Sequence, residues 1–383
     1  MWGGDTRLRE PGDRLRLSGC PNHEGWLARM PAHNAYPAAA RRIRNASLVA
    51  LCAALTTASC GSPEASSDNA GGDAETVRNC DIDVEISAEN PPERVFAVYQ
   101  PAIEMAHALG ISDRLVGTAY LDAKVIDDYA DVQSEQKYYP EIPSREEMLS
   151  RKPDFVLSGF NDVFTDGRFD TRASLRELGV ESWIFSPLCP SEDGRGDQAI
   201  DPSTVTMDSI YGDLRDLGTV FGVEDRAEEV VADMEQTVAD VEDAVQDAGS
   251  EPEVMVARPS DDGFRAAAAS DFATEMIDLA GGTNAAADVK DERHANFGTE
   301  EIIARDPDHI FVDVCCDADM TAADAAPSVE EITSDPALAN VTAVEEGNVH
   351  EWTFADRSAG VRSARVVADI ARTIHPDQFD TRD

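Results

Sequence analysis

The sequence predicts an α/β protein in two halves, each a mostly parallel sheet with helices on its faces, joined by a single long rigid α-helix. Three observations carry this. Apolar runs of strand length alternate with helical patterns from residue 94 onward, the order that crossover-connected parallel strands require. One uninterrupted helical stripe occupies residues 223–248, between the two alternating stretches. A short segment of the first stretch recurs in the second at a constant offset.

The chain opens with a segment of another kind. Residues 1–59 hold the basic stretch Arg41-Arg42-Ile43-Arg44, an apolar run from Ala46 to Leu55, and the small residues Thr57-Ala58-Ser59 ahead of Cys60. A positive region, a short apolar core and small residues before a break make a secretory signal, too short to span a bilayer comfortably. Residues 1–29 lack this character, so translation is expected to start at or near Met30. The end of the segment resembles a bacterial lipobox, with Thr57 where Leu is usual, and this implies lipidation at Cys60; plain secretion with cleavage nearby is the alternative. Residues 60–79, rich in Ser, Gly and Asp, are expected to form a flexible tether.

The first half, residues 80–222, has expected strands over 94–98, 114–119, 154–158 and 180–185. Its helices are expected over 101–109 and 171–178, closed by Gly110 and Gly179. In the helix of 223–248 the apolar positions Val223, Ala227, Val230, Val231, Met234, Val238, Val241 and Val245 keep to one stripe, and Asp and Glu cover the rest. At 1.5 Å per residue it is a rod of roughly 35–40 Å, long enough to cross a domain boundary. The second half, residues 249–383, repeats the style with strands over 253–257, 309–314 and 348–352 and helices over 271–279, 299–305 and 358–374.

The repeat aligns Ser144 with Gly298, Glu146-Glu147 with Glu300-Glu301, Arg151 with Arg305 and Pro153-Asp154 with Pro307-Asp308. Each copy reads as a helix with an N-cap at Ser144 or Thr299 and acids in the first turn, where the helix dipole favours them. Proline then stops the helix and a buried strand follows.

Composition narrows the function. The 383 residues carry 75 Asp+Glu against 32 Lys+Arg, a formal charge of −43. So acidic a surface neither neutralises phosphates nor docks on anionic lipid, so no nucleic-acid partner is expected. At 42% hydrophobic residues the chain still builds cores. Only four of the basic residues are lysines (Lys124, Lys137, Lys152, Lys290), a bias shared by proteins of high-salt habitats and by GC-rich coding sequences. Outside the cytoplasm, Cys80, Cys189, Cys315 and Cys316 are free to pair. Cys80 with Cys189 is the preferred bridge, with Cys315 and Cys316 bridged to each other or free; sequence does not separate the three connectivities. No Cys-x-x-Cys or histidine spacing accompanies them, so no metal site is expected.

Taken together, these residues resemble a known family. The lipobox-like Cys60, the Pro92-Glu-Arg-Val-Phe-Ala-Val opening, the Glu104-to-Gly117 segment, the Ser144-to-Leu157 segment, the central helix and Ala280-Gly281-Gly282-Thr283-Asn284 are similar to class III substrate-binding lipoproteins of ABC importers. That group handles iron–siderophore complexes, haem or cobalamin, and the resemblance spans residues 80–376. It implies two Rossmann-like lobes joined by one rigid helix, a ligand in the interlobe cleft, and no resident cofactor. It further implies an ABC permease with its ATPase as partners, an extracytoplasmic location on a lipid anchor, and a monomer. The glutamates that such proteins present to permease arginines fall on Glu146 and Glu300.

In two-lobed folds the cleft is lined by loops at the carboxyl ends of strands. The first lobe then offers Tyr99, Gln100, Tyr120, Phe160 and Asn161; the second offers Arg258, Phe264, Trp352 and Arg357. Aromatic rings suit a bulky flat ligand and arginines suit carboxylate or catecholate oxygens. A ferric siderophore is the expected ligand, with haem or cobalamin as alternatives; His294 is read as a surface imidazole rather than a haem contact. No Gly-x-Ser-x-Gly, His-Glu-x-x-His, phosphate loop or Gly-x-Gly-x-x-Gly is present, so no enzyme is expected. The competing reading is an extracytoplasmic hydrolase with a carboxylate pair in the cleft.

Overall fold

Two sheets organise the chain. The computed structural model describes residues 75–87, 89–190, 200–290 and 292–379. The signal segment, Cys60 and the tether up to residue 74 lie outside the described residues. A hairpin of β1 (Glu75–Asn79) and β2 (Ile82–Ile86) comes first, so the end of the expected tether is a strand.

The first sheet holds β3 (Val95–Val98), β4 (Leu115–Ala119), β5 (Tyr138–Tyr139), β6 (Phe155–Ser158) and β7 (Glu181–Ile184) in the order β5-β4-β3-β6-β7. Every pairing is parallel. β3 and β6 are buried at each residue, which is why they read as continuous apolar runs instead of alternating ones. Helices α1 (Gln100–Ala108), α2 (Ala130–Ser134), α3 (Arg145–Ser150) and α4 (Arg172–Glu177) connect them.

Two helices follow, α5 (Met207–Phe221) and α6 (Glu224–Val245). The apolar stripe of α6 is buried from Ala227 to Val241 as its spacing requires. α5 was not expected. It ends at Gly222 in the left-handed region (φ 65°), and the chain folds back so that α6 packs against it. A Cβ on Gly218 would stand 2.6 Å from the Cβ of Ala227, so the crossing needs a glycine there.

The second half contains β8 (Glu253–Ser260), β9 (Gly263–Ala267), α7 (Phe272–Leu279), β10 (Thr283–Asn284), β11 (His294–Phe297), α8 (Thr299–Arg305) and β12 (His309–Val314). It continues through α9 (Ala326–Ser334), α10 (Thr342–Glu346), β13 (Val349–Thr353), α11 (Phe354–Arg357), α12 (Ser363–Ile374) and α13 (Pro376–Phe379). β10, β8, β12 and β13 pair in parallel, whereas the far end of β8 turns away to pair antiparallel with β9, and β9 with β11. This sheet is therefore mixed. The expected helix over 358–374 is broken as well: α12 starts only at Ser363, because the turn before it sets Gly360 against Pro101 and Arg362 on Glu104.

The repeat proves structural. Asp154 accepts the backbone N–H groups of Glu93 and Arg94 at the entry to β3, and Asp308 accepts that of Glu253 at the entry to β8. Arg151 reaches the Val116 carbonyl in β4, and Arg305 reaches the Ala285 carbonyl just after β10. Ser144 caps α3 as expected, but the cap of α8 is Gly298, whose N–H is accepted by the Glu301 carboxylate; Thr299 is already helical. One apolar core joins the inner faces of both sheets through α1, α5, α6, α7 and α12, and a separate core covers the outer face of each sheet.

Candidate functional site

In a doubly wound sheet, the crevice forms where neighbouring connections leave in opposite directions, at the carboxyl ends of the two central strands. Here those strands are β3 and β6 in the first sheet and β8 and β12 in the second. The carboxyl-end loops of the two sheets meet. Cys316 N donates to the Asp122 carbonyl at 2.8 Å and Lys124 N to the Met320 carbonyl at 2.8 Å. Arg362, just before α12, pairs with Glu104 on α1 and also donates to the Lys124 carbonyl, so a buried ion pair closes one side of this contact.

On the first sheet, Tyr99 follows β3 and Tyr120 follows β4, both with left-handed backbones (φ 71° and 62°) that non-glycine residues seldom adopt. Their rings lie 5.3 Å apart, and Phe160 after β6 stands edge-on to Tyr99 at 5.8 Å. The Tyr99 hydroxyl donates to Asp162 at 2.8 Å, and burial followed by the Asp162 charge pushes its pKa well up, so it stays a donor. Gln100 is buried instead of lining a cleft: its amide donates to Glu104 and its carbonyl accepts from Asp122 N and Ala123 N. Asn161 is likewise structural, fully buried with its amide on the Leu188 carbonyl.

On the second sheet, three arginines surround one ring. The guanidinium carbons of Arg258, Arg293 and Arg357 lie 5.8, 5.9 and 5.0 Å from the centroid of Phe354, at the start of α11. Two carboxylates hold them. Arg357 bonds Asp271 at 2.7 Å and Asp313 at 3.3 Å, Arg293 bonds Asp271, and Arg258 bonds Asp313 at 3.1 Å. Burial alone would raise the Asp271 carboxyl, but Arg357 and Arg293 hold it well below the usual carboxylate range. Three guanidinium groups are thus gathered around one ring in a strongly acidic chain. Arg258 is the exposed member, its side chain 29% accessible; Arg357 is buried among its partners.

Two more of the expected contacts are buried against apolar neighbours. Phe264 lies in the outer core of the second sheet, and Trp352 packs on Phe311 with ring centroids 5.2 Å apart. His294 is also a correction, being buried with Nδ1 2.9 Å from Arg357. Sequence reading missed Asp162, Arg293, Asp313 and Phe354; Phe354 stood beside the expected Trp352 strand end and was the most findable. Glu146 and Glu300 are exposed in the first turns of α3 and α8.

The family model described as periplasmic binding protein matches residues 95–355. Among curated proteins, the uncharacterised ABC transporter substrate-binding lipoprotein YvrC of Bacillus subtilis (strain 168) is 22% identical over 337 residues, covering 86% of this chain and 96% of its own. A periplasmic binding protein from Veillonella parvula superposes with a TM-score of 0.66 at 24% identity, covering 80% of this chain and 99% of that one. An ABC-type Fe3+-hydroxamate transport system protein from Saccharomonospora viridis gives 0.62 at 25% identity, covering 79% and 99%. The periplasmic haem-binding protein RhuT from Roseiflexus sp. RS-1, in apo form, gives 0.55 at 21% identity, covering 75% and 99%. Among the described residues no helix is long and apolar enough to cross a membrane.

Proposed function

This chain belongs to the periplasmic binding protein family, and from that premise we propose that it is the extracytoplasmic substrate-binding component of an ABC transporter, capturing an iron(III)–siderophore complex between two lobes. The lobes are built on the two sheets, with α6 as the spine between them. The observation that carries this reading is the meeting of the two crevices: tyrosines on one side, an arginine cluster with the partly exposed Arg258 on the other. Hydroxamate, catecholate and carboxylate oxygens are planar anionic acceptors that a guanidinium fork recognises. The fold likeness to an Fe3+-hydroxamate transport protein points the same way. His294 is held against Arg357, which favours this ligand over haem coordinated by that imidazole. Asp271 and Asp313 are both paired with arginine, which supports a binder over a carboxylate-dyad hydrolase.

Delivery to the permease is assigned to Glu146 and Glu300, exposed at equivalent places in the structural repeat, and anchoring to a lipid on Cys60. Tryptophan fluorescence quenching with a panel of ferric siderophores, haem and cobalamin tests the ligand. A ferric siderophore should bind below about 10 µM, roughly −7 kcal/mol, and silence across the panel sinks the carrier reading. Replacing both glutamates by alanine should abolish uptake in cells and leave binding unchanged.

A further inference from the structure

We propose that the cleft carries a latent soft-metal site: once the Cys315–Cys316 disulfide is reduced, its two thiolates and the Asp122 carboxylate hold one thiophilic divalent cation between the two halves. The juxtaposition is already built. The Asp122 carboxylate and the sulfurs of Cys315 and Cys316 lie within 4.8 Å of one another, although they come from loops after β4 and β12, on different sheets. In the present state the two sulfurs are bonded to each other and are poor ligands. The site is therefore gated by redox state.

Three features favour the assignment. The loops need not travel to meet, since Cys316 N already donates to the Asp122 carbonyl and Lys124 N to the Met320 carbonyl. The Asp122 loop is fixed from behind by Gln100, which accepts from Asp122 N and Ala123 N, and by Glu104, which accepts from Ile126 N. A preordered set of ligands loses little entropy on binding. Arg258 Nη1 stands 3.9 Å from Cys315 Sγ, and a neighbouring guanidinium favours thiolate over thiol. Two thiolates with one carboxylate select borderline-soft cations of the zinc and cadmium kind and reject calcium and magnesium, which prefer oxygen-rich shells. A three-ligand set leaves a coordination position for water or for a donor atom of a cleft ligand.

The step balances as follows. A reductant supplies two electrons as the S–S bond breaks: a dithiol closes to its own disulfide and gives up two protons, or a phosphine takes an oxygen from water to become the phosphine oxide and the water's two protons go to the sulfurs, leaving two thiols. The cation then displaces both protons as it binds, so affinity rises with pH. Because its ligands belong to both halves, the bound cation also holds the loop contact closed, and opening the contact expels it.

This inference does not rest on the identity of the transported ligand, and it is tested without one. The full chain is titrated with Cd2+ in its oxidised form and after treatment with a phosphine, and the sulfur-to-cadmium charge-transfer absorption is read. That signal matters because so many carboxylates bind Cd2+ without producing it. The C315S/C316S variant, which retains the other five cysteines, is the comparison, with far-ultraviolet circular dichroism to show that it folds. Reduced wild type should show a saturable band of one further cation per chain over the signal that the other five cysteines give in reduced C315S/C316S, and the oxidised proteins should lack that difference. D122N keeps both thiols and should weaken the binding at least about tenfold, since losing even an outer-shell partner of a metal site has that effect. Equal bands in reduced wild type and reduced C315S/C316S, an equal difference between the two in the oxidised state, or an unchanged D122N titration would each overturn the proposal.

Discussion

Arg258 and Arg357 look alike in sequence, and their surroundings give them different work. Arg258 is partly exposed with one carboxylate partner, and Arg357 is enclosed by Asp271 and Asp313. Removing Arg258 should leave folding nearly intact and weaken binding of an anionic ligand by about 10- to 100-fold, the worth of one charge-assisted hydrogen bond. Removing Arg357 leaves two buried carboxylates short of a partner, and R357A should lose about 3–5 kcal/mol in urea unfolding. If R258A unfolds as easily as R357A, the division between site and scaffold is wrong. Asp213 on α5 is a different kind of buried acid. It accepts from Trp183 Nε1, Ser186 N and Ser186 Oγ with no cation among its described partners, and burial pushes its pKa up to about 7. Between about pH 4 and 7 the folded state then keeps a proton that the unfolded chain has released, so this residue makes stability fall as pH rises through that window and contributes no slope above it. D213N removes the titration, and its unfolding free energy should differ in slope from wild type by up to about 1.4 kcal/mol per pH unit there. Parallel curves for the two proteins from pH 4 to 8 would show that Asp213 titrates normally.

At the level of elements, the β1–β2 hairpin protects the exposed edge of β7. Asn79 does this with its side chain alone, accepting from Ile184 N at 3.0 Å and donating to the Ile184 carbonyl at 2.8 Å, as a neighbouring strand would. Arg172 holds the Asn79 carbonyl, and the Cys80–Cys189 disulfide closes the attachment across a sequence separation of 109. C80S/C189S should therefore unfold about 4 kcal/mol more easily than wild type without reductant, as expected for a loop near one hundred residues. N79A should lose about 1–3 kcal/mol from the unpaired groups it leaves. A loss below 1 kcal/mol in both would mean that the hairpin is not held on β7. Regular elements with strong local signals were legible: β3, β6, β12, α6 and α8 follow from apolar runs, one clean stripe and a capped repeat. β9 and β11 were not, because Gly263-to-Ala267 and His294-to-Phe297 are short, small-residued segments that become strands only by pairing with the far end of β8 and with each other. α5 was missed because Gly212 and Gly218 interrupt a pattern whose glycine at 218 serves the crossing with α6.

Over the whole molecule, the contacts that assemble the candidate site join residues far apart in sequence, and local pattern does not reveal them. Glu104 and Arg362 are separated by 258 positions, and neither lies in a motif that announces a partner. Only the strand-end rule pointed to this region, and it named Tyr99, Tyr120, Phe160 and Arg258, which lie beside the two crevices, without the acids that hold their neighbours. The excess of acid is the opposite case: legible at once in composition, and now placed in space. On α6, Glu228, Glu229 and Glu235 have arginine partners in Arg215 and Arg226, whereas Asp225, Asp233 and Asp240 have no arginine partner among the described ion pairs. Exposed pairs of that sort contribute little, so repulsion among the unpaired acids should outweigh them. The Debye length shrinks from about 10 Å at 0.1 M salt to about 3 Å at 1 M, which suppresses repulsion across the surface and leaves the buried Glu104–Arg362 and Asp271–Arg357 pairs nearly untouched. Raising KCl from 0.1 to 1 M should therefore increase the melting temperature, by roughly 1.5–3 °C for one to two kcal/mol in a chain of this size. A melting temperature that falls with KCl would instead place the balance with the exposed ion pairs, and the acidity would then belong to coding composition rather than to life in salt.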